Sequence, residues 1–181
     1  MSQKINIAFL ALGSNIEPEV NLVRAVGLLR EYGAITARPS VYQTAPQGFT
    51  DQPDFLNMAV QLETALSIDA VKTDAIARIE RELKRVRDPN NKNAPRTIDL
   101  DIALWNDDIR DYGEKPWHVP DANVLRFAHV ALPLAEIAPG YVHPESGDTL
   151  QSIAARFDTS GYKIRTDIDF DSGAMSQFPN S

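Results

Sequence analysis

The sequence predicts an α+β fold with a βαββαβ core, in which helices cover an antiparallel sheet as in ferredoxin-like domains. Two observations support this prediction. Compact apolar runs typical of strands alternate with stretches of helical spacing, and they follow one another in that order. After the core, the pattern predicts a helical extension at the carboxyl-terminal side. We expect one domain over residues 1–157, followed by a tail over residues 158–181 that either adds an edge strand or frays.

Each element is assigned from its own pattern. The first strand is the apolar run 5–12, which is bounded by Gly13. The first helix begins at Pro18, repeats an apolar residue every three or four positions, and ends near Gly33. The other predicted elements are strands over 34–44 and 55–64, a helix over 68–86, a strand over 97–104, and helices over 130–137 and 149–157. The two core helices are expected to cover one face of the sheet.

Composition excludes several classes of function. The 181 residues include no cysteine, which rules out disulfide scaffolds, thiol catalysis and thiolate metal sites. A formal net charge of -7 argues against a surface that binds nucleic acid or anionic membranes. No apolar run approaches the ~20 residues of a membrane span, and the first run lacks the features of a secretion signal. We expect a cytoplasmic monomer without nucleic-acid or membrane partners.

Positive charge is concentrated in one short stretch. Between Arg81 and Arg96 lie six basic residues and two acidic ones, whereas the whole chain is acidic. Arginine binds phosphate oxygens through a bidentate fork, so this stretch is a candidate site for a small polyanion. The alternative is a solvated helix end, where basic residues also complement the helix dipole.

Two acidic residues follow on the next strand. Alternation within residues 97–104 places Asp99 and Asp101 on one face, with Cα atoms ~6.6 Å apart, and four apolar residues ending with Leu104 on the other. Two carboxylates so placed can bind two Mg²⁺ ions that also contact substrate phosphates. The alternative is the wet face of an amphipathic strand. Arg96, three residues before Asp99, favours a combined metal and phosphate site.

These residues resemble a known family. The runs 85–87 (Arg-Val-Arg) and 95–101 (Pro-Arg-Thr-Ile-Asp-Leu-Asp) are similar to motifs of the 6-hydroxymethyl-7,8-dihydropterin pyrophosphokinases, enzymes of folate biosynthesis. Three further blocks agree in order and spacing, at residues 11–15 with 21–22, residues 42–46 with 52–57, and residues 133–139. The resemblance covers residues 5–155, approximately.

The resemblance implies that a diphosphate is transferred from ATP to the hydroxymethyl group of the pterin, with release of AMP. It implies that Asp99 and Asp101 bind two Mg²⁺ ions and that Arg85 and Arg96 act on the triphosphate as catalytic residues. The ATP-binding positions that it implies are Glu80, Arg87, Ile102 and Arg126. The pterin-binding positions that it implies are Thr44, Ala45, Pro46, Phe55, Asn57, Phe127 and His129.

The sequence departs from the family pattern in residues 120–129. Counted back from the following Pro-Leu, Asp121 stands where the family usually has histidine, Phe127 where it has arginine, and His129 where it has the stacking phenylalanine. Two registers are open. Either Phe127 stacks on the pterin and Arg126 takes the phosphate side, or His129 stacks and Arg126 faces solvent.

Other functions compete with this interpretation. The chain could be a divergent paralogue that acts on a related pterin, a non-catalytic module that binds a pterin or nucleotide, or an RNA-binding domain of the same fold. The complete set of acidic and basic motif residues argues against a non-catalytic module. The net charge and the lack of aromatic signatures on the central strands argue against RNA binding.

Overall fold

The apolar runs form an antiparallel sheet in the computed structural model, which describes residues 4–171. The strands are β1 (Asn6–Ser14), β2 (Ala34–Ala37), β3 (Val41–Thr44), β4 (Phe55–Thr64), β5 (Asp99–Trp105), β6 (Arg110–Tyr112), β7 (Trp117–Val119) and β8 (Lys163–Arg165). The helices are α1 (Pro18–Leu29), α2 (Ile68–Ala70), a π-helical segment (Val71–Ile76), α3 (Ala77–Glu82), α4 (Asn123–Arg126), α5 (Ala128–Ile137) and α6 (Leu150–Ala154). The consecutive turns from α2 to α3 form one composite helix, residues 68–82.

The sheet places β5 at one edge. The strand order is β5-β1-β4-β3-β8, and β2 pairs with the other end of β4. All of these pairs are antiparallel. Strands β6 and β7 form a separate hairpin after β5, which the sequence did not predict. The order of the main elements confirms the predicted ferredoxin-like core.

Helices cover both faces of this sheet. On one face, α1 and the composite helix bury side chains such as Leu22 and Ile79 against Leu10 of β1. This confirms that the two core helices share a face. On the other face, α4, α5 and α6 form a second apolar cluster, in which Leu134 packs with Phe9. Among the described residues, no helix has both the length and the apolar character needed to span a membrane.

A β-bulge interrupts the pairing of β5 with β1. The shift in register leaves Ala103 without a partner between Ile102 and Leu104. Leu104 therefore packs with Ala103 in the second cluster, whereas Ile102 lies in the first. The prediction that Leu104 shares the face of Ile102 was wrong, because simple alternation assumes an unbroken strand. The two aspartates precede the bulge and keep their predicted common face.

Two other predicted elements have different limits. The strand predicted over 34–44 is divided into β2 and β3, because Pro39 lies between them and cannot donate a ladder hydrogen bond. The helix predicted to reach Val86 ends at Glu82. Lys84 adopts a left-handed conformation with φ of 56°, which ends the helix, and Val86 is exposed.

The chain after residue 157 packs on the same sheet. β8 pairs with β3, so this segment adds an edge strand, as one of the two alternatives predicted. Phe170 belongs to the first apolar cluster and lies 4.4 Å from the guanidinium carbon of Arg38. Residues 172–181 of the predicted tail lie outside the described residues, and the division of the chain at residue 157 stays a prediction.

Gly33, which joins α1 to β2, packs against the backbone of β4. A Cβ atom here would lie 2.2 Å from the carbonyl oxygen of Glu63, and a backbone atom of a central strand cannot move away cheaply. Gly33→Ala should therefore lower the free energy of unfolding by about 1–3 kcal/mol, measured by chemical denaturation. Gly161→Ala is the matched control, because no heavy atom lies within 4 Å of a Cβ there. Equal stability of the two variants would contradict this account.

Candidate active site

A cavity of about 270 Å³ opens on the sheet face that carries the two aspartates of β5. β1, β4 and β5 form its floor, and the loops before β4 and β5 and the start of α5 form its walls. Nine predicted site residues line it: Thr44, Ala45, Phe55, Asn57, Arg96, Asp99, Asp101, Phe127 and His129. Residues that the site prediction omitted also line it, including Gly13, Gln47, Asn93 and Asn123. The structure thus brings the predicted metal and pterin residues to one cavity.

Each aspartate of β5 faces a cation from a different element. Arg96 Nη1 donates to Asp99 Oδ2 at 2.7 Å, from the loop just before the strand. Lys72 Nζ lies 3.5 Å from Asp101 Oδ1, from the π-helical segment. Arg96 was predicted from its place in the sequence, whereas no motif pointed to Lys72.

The electrostatics favour a cation at this acidic end. Burial, together with the nearby Asp99 carboxylate, raises the pKa of Asp101 to about 6, while Lys72 opposes the shift. Burial also raises the pKa of Asp121, which lies at the start of the α4 turn. Within residues 4–171, no group of three or more His, Asp or Glu side chains could hold a metal ion. The two carboxylates fit Mg²⁺, which completes its oxygen shell with water and substrate phosphates.

Arg96 is held rigidly between the acidic pair and the aromatic wall. Its Nη2 donates to the carbonyl oxygen of Lys92 at 2.6 Å and its Nε to that of Ala94 at 3.2 Å. Its guanidinium carbon lies 5.7 Å from the ring centroid of Phe55. One side chain therefore contacts the predicted metal ligand and the predicted pterin wall.

Arg85 lies outside the cavity lining and carries an unpartnered atom. Its Nε is buried without a hydrogen-bond partner in the described part of the chain. Burial lowers the pKa of Arg85, with Arg96 and Arg87 adding to the shift and Asp99 opposing it. Leaving a buried charged donor unpaired is costly, so this arrangement fits an anionic ligand such as a phosphate.

Glu80 connects α3 to the open edge of β5. One carboxylate oxygen accepts from Arg87 Nη2 at 2.8 Å, and the other accepts from the backbone nitrogen of Leu100 at 3.4 Å. The backbone N–H of Leu100 therefore points away from β1, towards the open edge of the sheet. Because residues two apart in a strand point their backbone groups the same way, the backbone of Ile102 also faces this edge. The Ile102 side chain is buried in the core, so only its backbone could contact a nucleotide.

Asn57 presents a fixed amide on the floor of the cavity. Its Nδ2 donates to Thr44 Oγ1 at 2.9 Å, and both residues are buried. Gly13 pairs with Asn57 across the sheet, and a Cβ at Gly13 would lie 3.1 Å from Asn57 Oδ1. The glycine therefore leaves room for the amide oxygen. Ala45 lines the cavity beside this group, whereas Pro46 does not.

Phe127 and His129 form a stacked pair in the cavity wall at the start of α5. Their ring centroids are 5.2 Å apart, with an interplanar angle of 22°, and both line the cavity. Burial lowers the pKa of His129, so its imidazole is neutral at pH 7. Arg126, at the end of α4, is exposed and does not line the cavity. Phe127 and His129, the two alternatives for the ring that stacks on the pterin, therefore both lie at the site.

Asn15 and Gln52 join the loops around the cavity. Asn15 Nδ2 donates to Gln52 Oε1 at 2.8 Å, while Asn15 Oδ1 accepts from the backbone nitrogen of Arg96 at 2.8 Å. Gln52 Nε2 in turn donates to the carbonyl oxygen of Asn93 at 2.8 Å. In the sequence, Asn15 and Gln52 stand out only as parts of motif blocks. The structure shows that they fix the loop before β4 to the loop before β5.

Sequence comparisons identify close relatives of the chain. The family described as 7,8-dihydro-6-hydroxymethylpterin-pyrophosphokinase (HPPK) matches residues 9–139. The 2-amino-4-hydroxy-6-hydroxymethyldihydropteridine pyrophosphokinase of Bacillus subtilis (strain 168) is 41% identical over 135 residues, which cover 73% of this chain and 78% of that protein. The protein of the same name from Methylorubrum extorquens is 34% identical over 159 residues, or 85% of this chain and 95% of that one.

Solved structures with a similar fold include Plasmodium falciparum HPPK-DHPS, wild type with pteroate. The TM-score is 0.67 at 16% sequence identity, and the match covers 86% of this chain and 43% of that one. At this identity, the likeness supports the fold alone. The chain therefore spans less than half of that longer protein.

The raised pKa of Asp101 predicts a pH-dependent stability for the ligand-free protein. A carboxyl with a raised folded-state pKa contributes stability that is complete below its ordinary value of 3.8 and is lost as pH rises through about 6. Asp101→Asn should match the unsubstituted protein at pH 4 and melt about 2–4 °C higher at pH 7.5 in EDTA.

Asp99→Asn provides the contrasting control for this experiment. It removes the hydrogen-bonded partner of Arg96 at 2.7 Å, whereas Lys72 only lies 3.5 Å from Asp101, so Asp99→Asn should melt lower at pH 7.5. Calorimetric scans at both pH values test the pair. A lower melting temperature for Asp101→Asn at pH 7.5 would contradict the raised pKa.

Proposed function

The chain belongs to the 6-hydroxymethyl-7,8-dihydropterin pyrophosphokinase family, and we propose that the cavity on its sheet is the site of that reaction. The protein is an enzyme of folate biosynthesis. It transfers a diphosphate from ATP to the hydroxymethyl group of the dihydropterin and releases AMP, with Mg²⁺ as cofactor.

The position of Arg96 is the observation that supports this site most strongly. Its guanidinium group contacts the Asp99 carboxylate and lies near the Phe55 ring. A diphosphate in transfer must reach both the metal-binding carboxylates and the pterin hydroxyl. Arg96 occupies the junction where those two requirements meet.

We propose that Asp99 and Asp101 bind two Mg²⁺ ions shared with the phosphates of ATP. When bound, Mg²⁺ neutralises phosphate charge and acidifies the attacking hydroxyl, so the site needs no separate general base. Arg85 and Arg96 would bind the triphosphate as catalytic residues, because their charges can stabilise the charge that moves towards AMP. The unpartnered Nε of Arg85 supports this role.

The nucleotide is proposed to lie along the open edge of β5. Glu80 fixes Arg87 at this edge, where the guanidinium group can assist in phosphate binding. The backbone of Ile102 offers a donor and an acceptor for the base. Arg126 lies in solvent beside Asp121 and would contact ATP only from the rim of the site.

The pterin is proposed to occupy the side formed by β3, β4 and the start of α5. Asn57 would hydrogen-bond the ring edge through its fixed amide, and Thr44 and Ala45 would line the ring, with Pro46 outside the cavity lining. Phe55 and Phe127 would provide apolar walls for the flat ring, with His129 stacked on Phe127.

A related pterin is a second candidate substrate, favoured by the altered wall. His129 adds a neutral imidazole with hydrogen-bonding nitrogens beside Phe127, so it could select a pterin with a different side group.

Action as a monomer, a cytoplasmic location and the absence of a nucleic-acid partner stay predictions.

AMP release from ATP, with 6-hydroxymethyl-7,8-dihydropterin and Mg²⁺, tests the function directly. Asp99→Asn and Asp101→Asn should each lower turnover at least about 100-fold, since each removes a metal ligand. The double variant should be little worse than either single one, because both residues serve one site. Asp158→Asn, in the exposed segment before β8, is the control and should keep full activity. Losses that simply multiply would argue against a shared site.

The aromatic wall generates a second kinetic prediction. Phe127→Ala should raise KM for the pterin about tenfold with a smaller effect on KM for ATP, because it removes an apolar wall. His129→Ala should be milder, and Arg126→Ala should affect ATP use alone. The comparison uses steady-state kinetics with each substrate varied in turn. A large loss of pterin affinity in His129→Ala beside a near-normal Phe127→Ala would assign the stacking role to His129.

A further inference from the structure

We propose that Lys72 is a positioning residue that competes with divalent cations for Asp101, so that the metal binds weakly until the nucleotide arrives. This inference rests on the proposed metal-binding role of Asp101. It concerns a residue outside every motif that the sequence analysis used.

Lys72 is held in place from two sides. Its Nζ lies 3.5 Å from Asp101 Oδ1 and 5.1 Å from the ring centroid of Trp117 in β7. The Lys72 side chain is only 12% exposed, so its ammonium group is not a freely solvated surface charge. A cation fixed between a carboxylate and an aromatic face has few other positions to occupy.

The local backbone is built to deliver this side chain. The nitrogen of Ala77 donates to the carbonyl oxygen of Lys72, a five-residue step that defines the π-helical segment. Such insertions into α-helices often occur at functional sites. Asp69, one turn earlier, accepts from the backbone nitrogen of Gly113 at 2.8 Å. This bond fastens the β6–β7 hairpin, and with it Trp117, against the composite helix.

Gly113 allows the ring to lie close to the hairpin turn. A Cβ at Gly113 would be 2.3 Å from a carbon of the Trp117 ring, and its φ of 77° also favours glycine. The hairpin and the π-helical segment therefore form one unit around the Lys72 ammonium group.

The charges around Lys72 explain what this unit does. Asp101 is the carboxylate that faces Lys72, with 3.5 Å between Oδ1 and Nζ. Arg96 is paired with Asp99, so it does not neutralise the charge of Asp101. Lys72 therefore supplies the positive charge that Asp101 would otherwise obtain from a metal ion.

A divalent cation on Asp101 must lie close to the Lys72 ammonium group or displace it. Repulsion between two cations a few ångströms apart in a partly buried site is strong, so Lys72 weakens metal binding to the free enzyme. The triphosphate of ATP attracts both cations and removes that penalty. Metal and nucleotide binding are thus coupled through one side chain.

Binding of Mn²⁺ without nucleotide, followed by electron paramagnetic resonance, tests this proposal. Lys72→Met keeps most of the length of the side chain and removes its charge, so it should bind Mn²⁺ ~10-fold more tightly. Lys72→Arg keeps the charge and should bind as weakly as the unsubstituted enzyme. With a nonhydrolysable ATP analogue present, the advantage of Lys72→Met should fall below ~2-fold, because the analogue supplies the compensating charge. A structural defect would not tighten metal binding.

Two further variants make the result decisive. Lys163 lies on β8, at the edge of the sheet opposite β5. The control variant Lys163→Met should therefore leave Mn²⁺ binding unchanged. If Lys72→Met fails to fold, Lys72→Gln provides the neutral side chain. Weak Mn²⁺ binding by a folded neutral variant without nucleotide would overturn the role of Lys72. Asp101→Asn tests the underlying site separately, since unchanged Mn²⁺ binding by that variant with nucleotide would reject Asp101 as a ligand.

Discussion

The mutual repulsion of two carboxylates on one edge strand is the constraint around which this site is organised. Alternation in β5 places Asp99 and Asp101 on the same face, and burial raises the cost of the charge on Asp101. The two carboxylates are paired with Arg96 on the loop before the strand and with Lys72 on the composite helix. The surrounding hydrogen bonds of Arg96 and the hairpin against Lys72 both serve to hold these cations in position.

The order of the strands determines what the acidic pair can reach. Because β5 is an edge strand, one side of it borders the cavity on β1 and β4, where we propose that the pterin binds, while its outer backbone lies open at the proposed nucleotide side. The bulge at Ala103 comes after the aspartates, so it alters the core without changing their common face. Asn15 and Gln52 then tie the flanking loops to this floor.

Much of this arrangement could be predicted from the sequence, because strand alternation and local motifs report on short-range geometry. Asp99, Asp101, Arg96 and the order of the core elements were found in this way. Lys72 could not be found, since its contacts with Asp101 and Trp117 join residues far apart in the chain.

A ligand that binds in this site replaces ion pairs that are already present and does not bring unpaired charges together. Asp99 and Asp101 already face cations, while Arg85 lies nearby with an unpartnered buried nitrogen. A metal ion on Asp101 would replace its contact with Lys72, whose side chain is only 12% exposed, so this exchange would be costly until the nucleotide adds its negative charge. The same charges act more strongly once the substrates exclude water. The site can therefore keep its charges paired before the substrates bind and still stabilise the charge that develops during transfer.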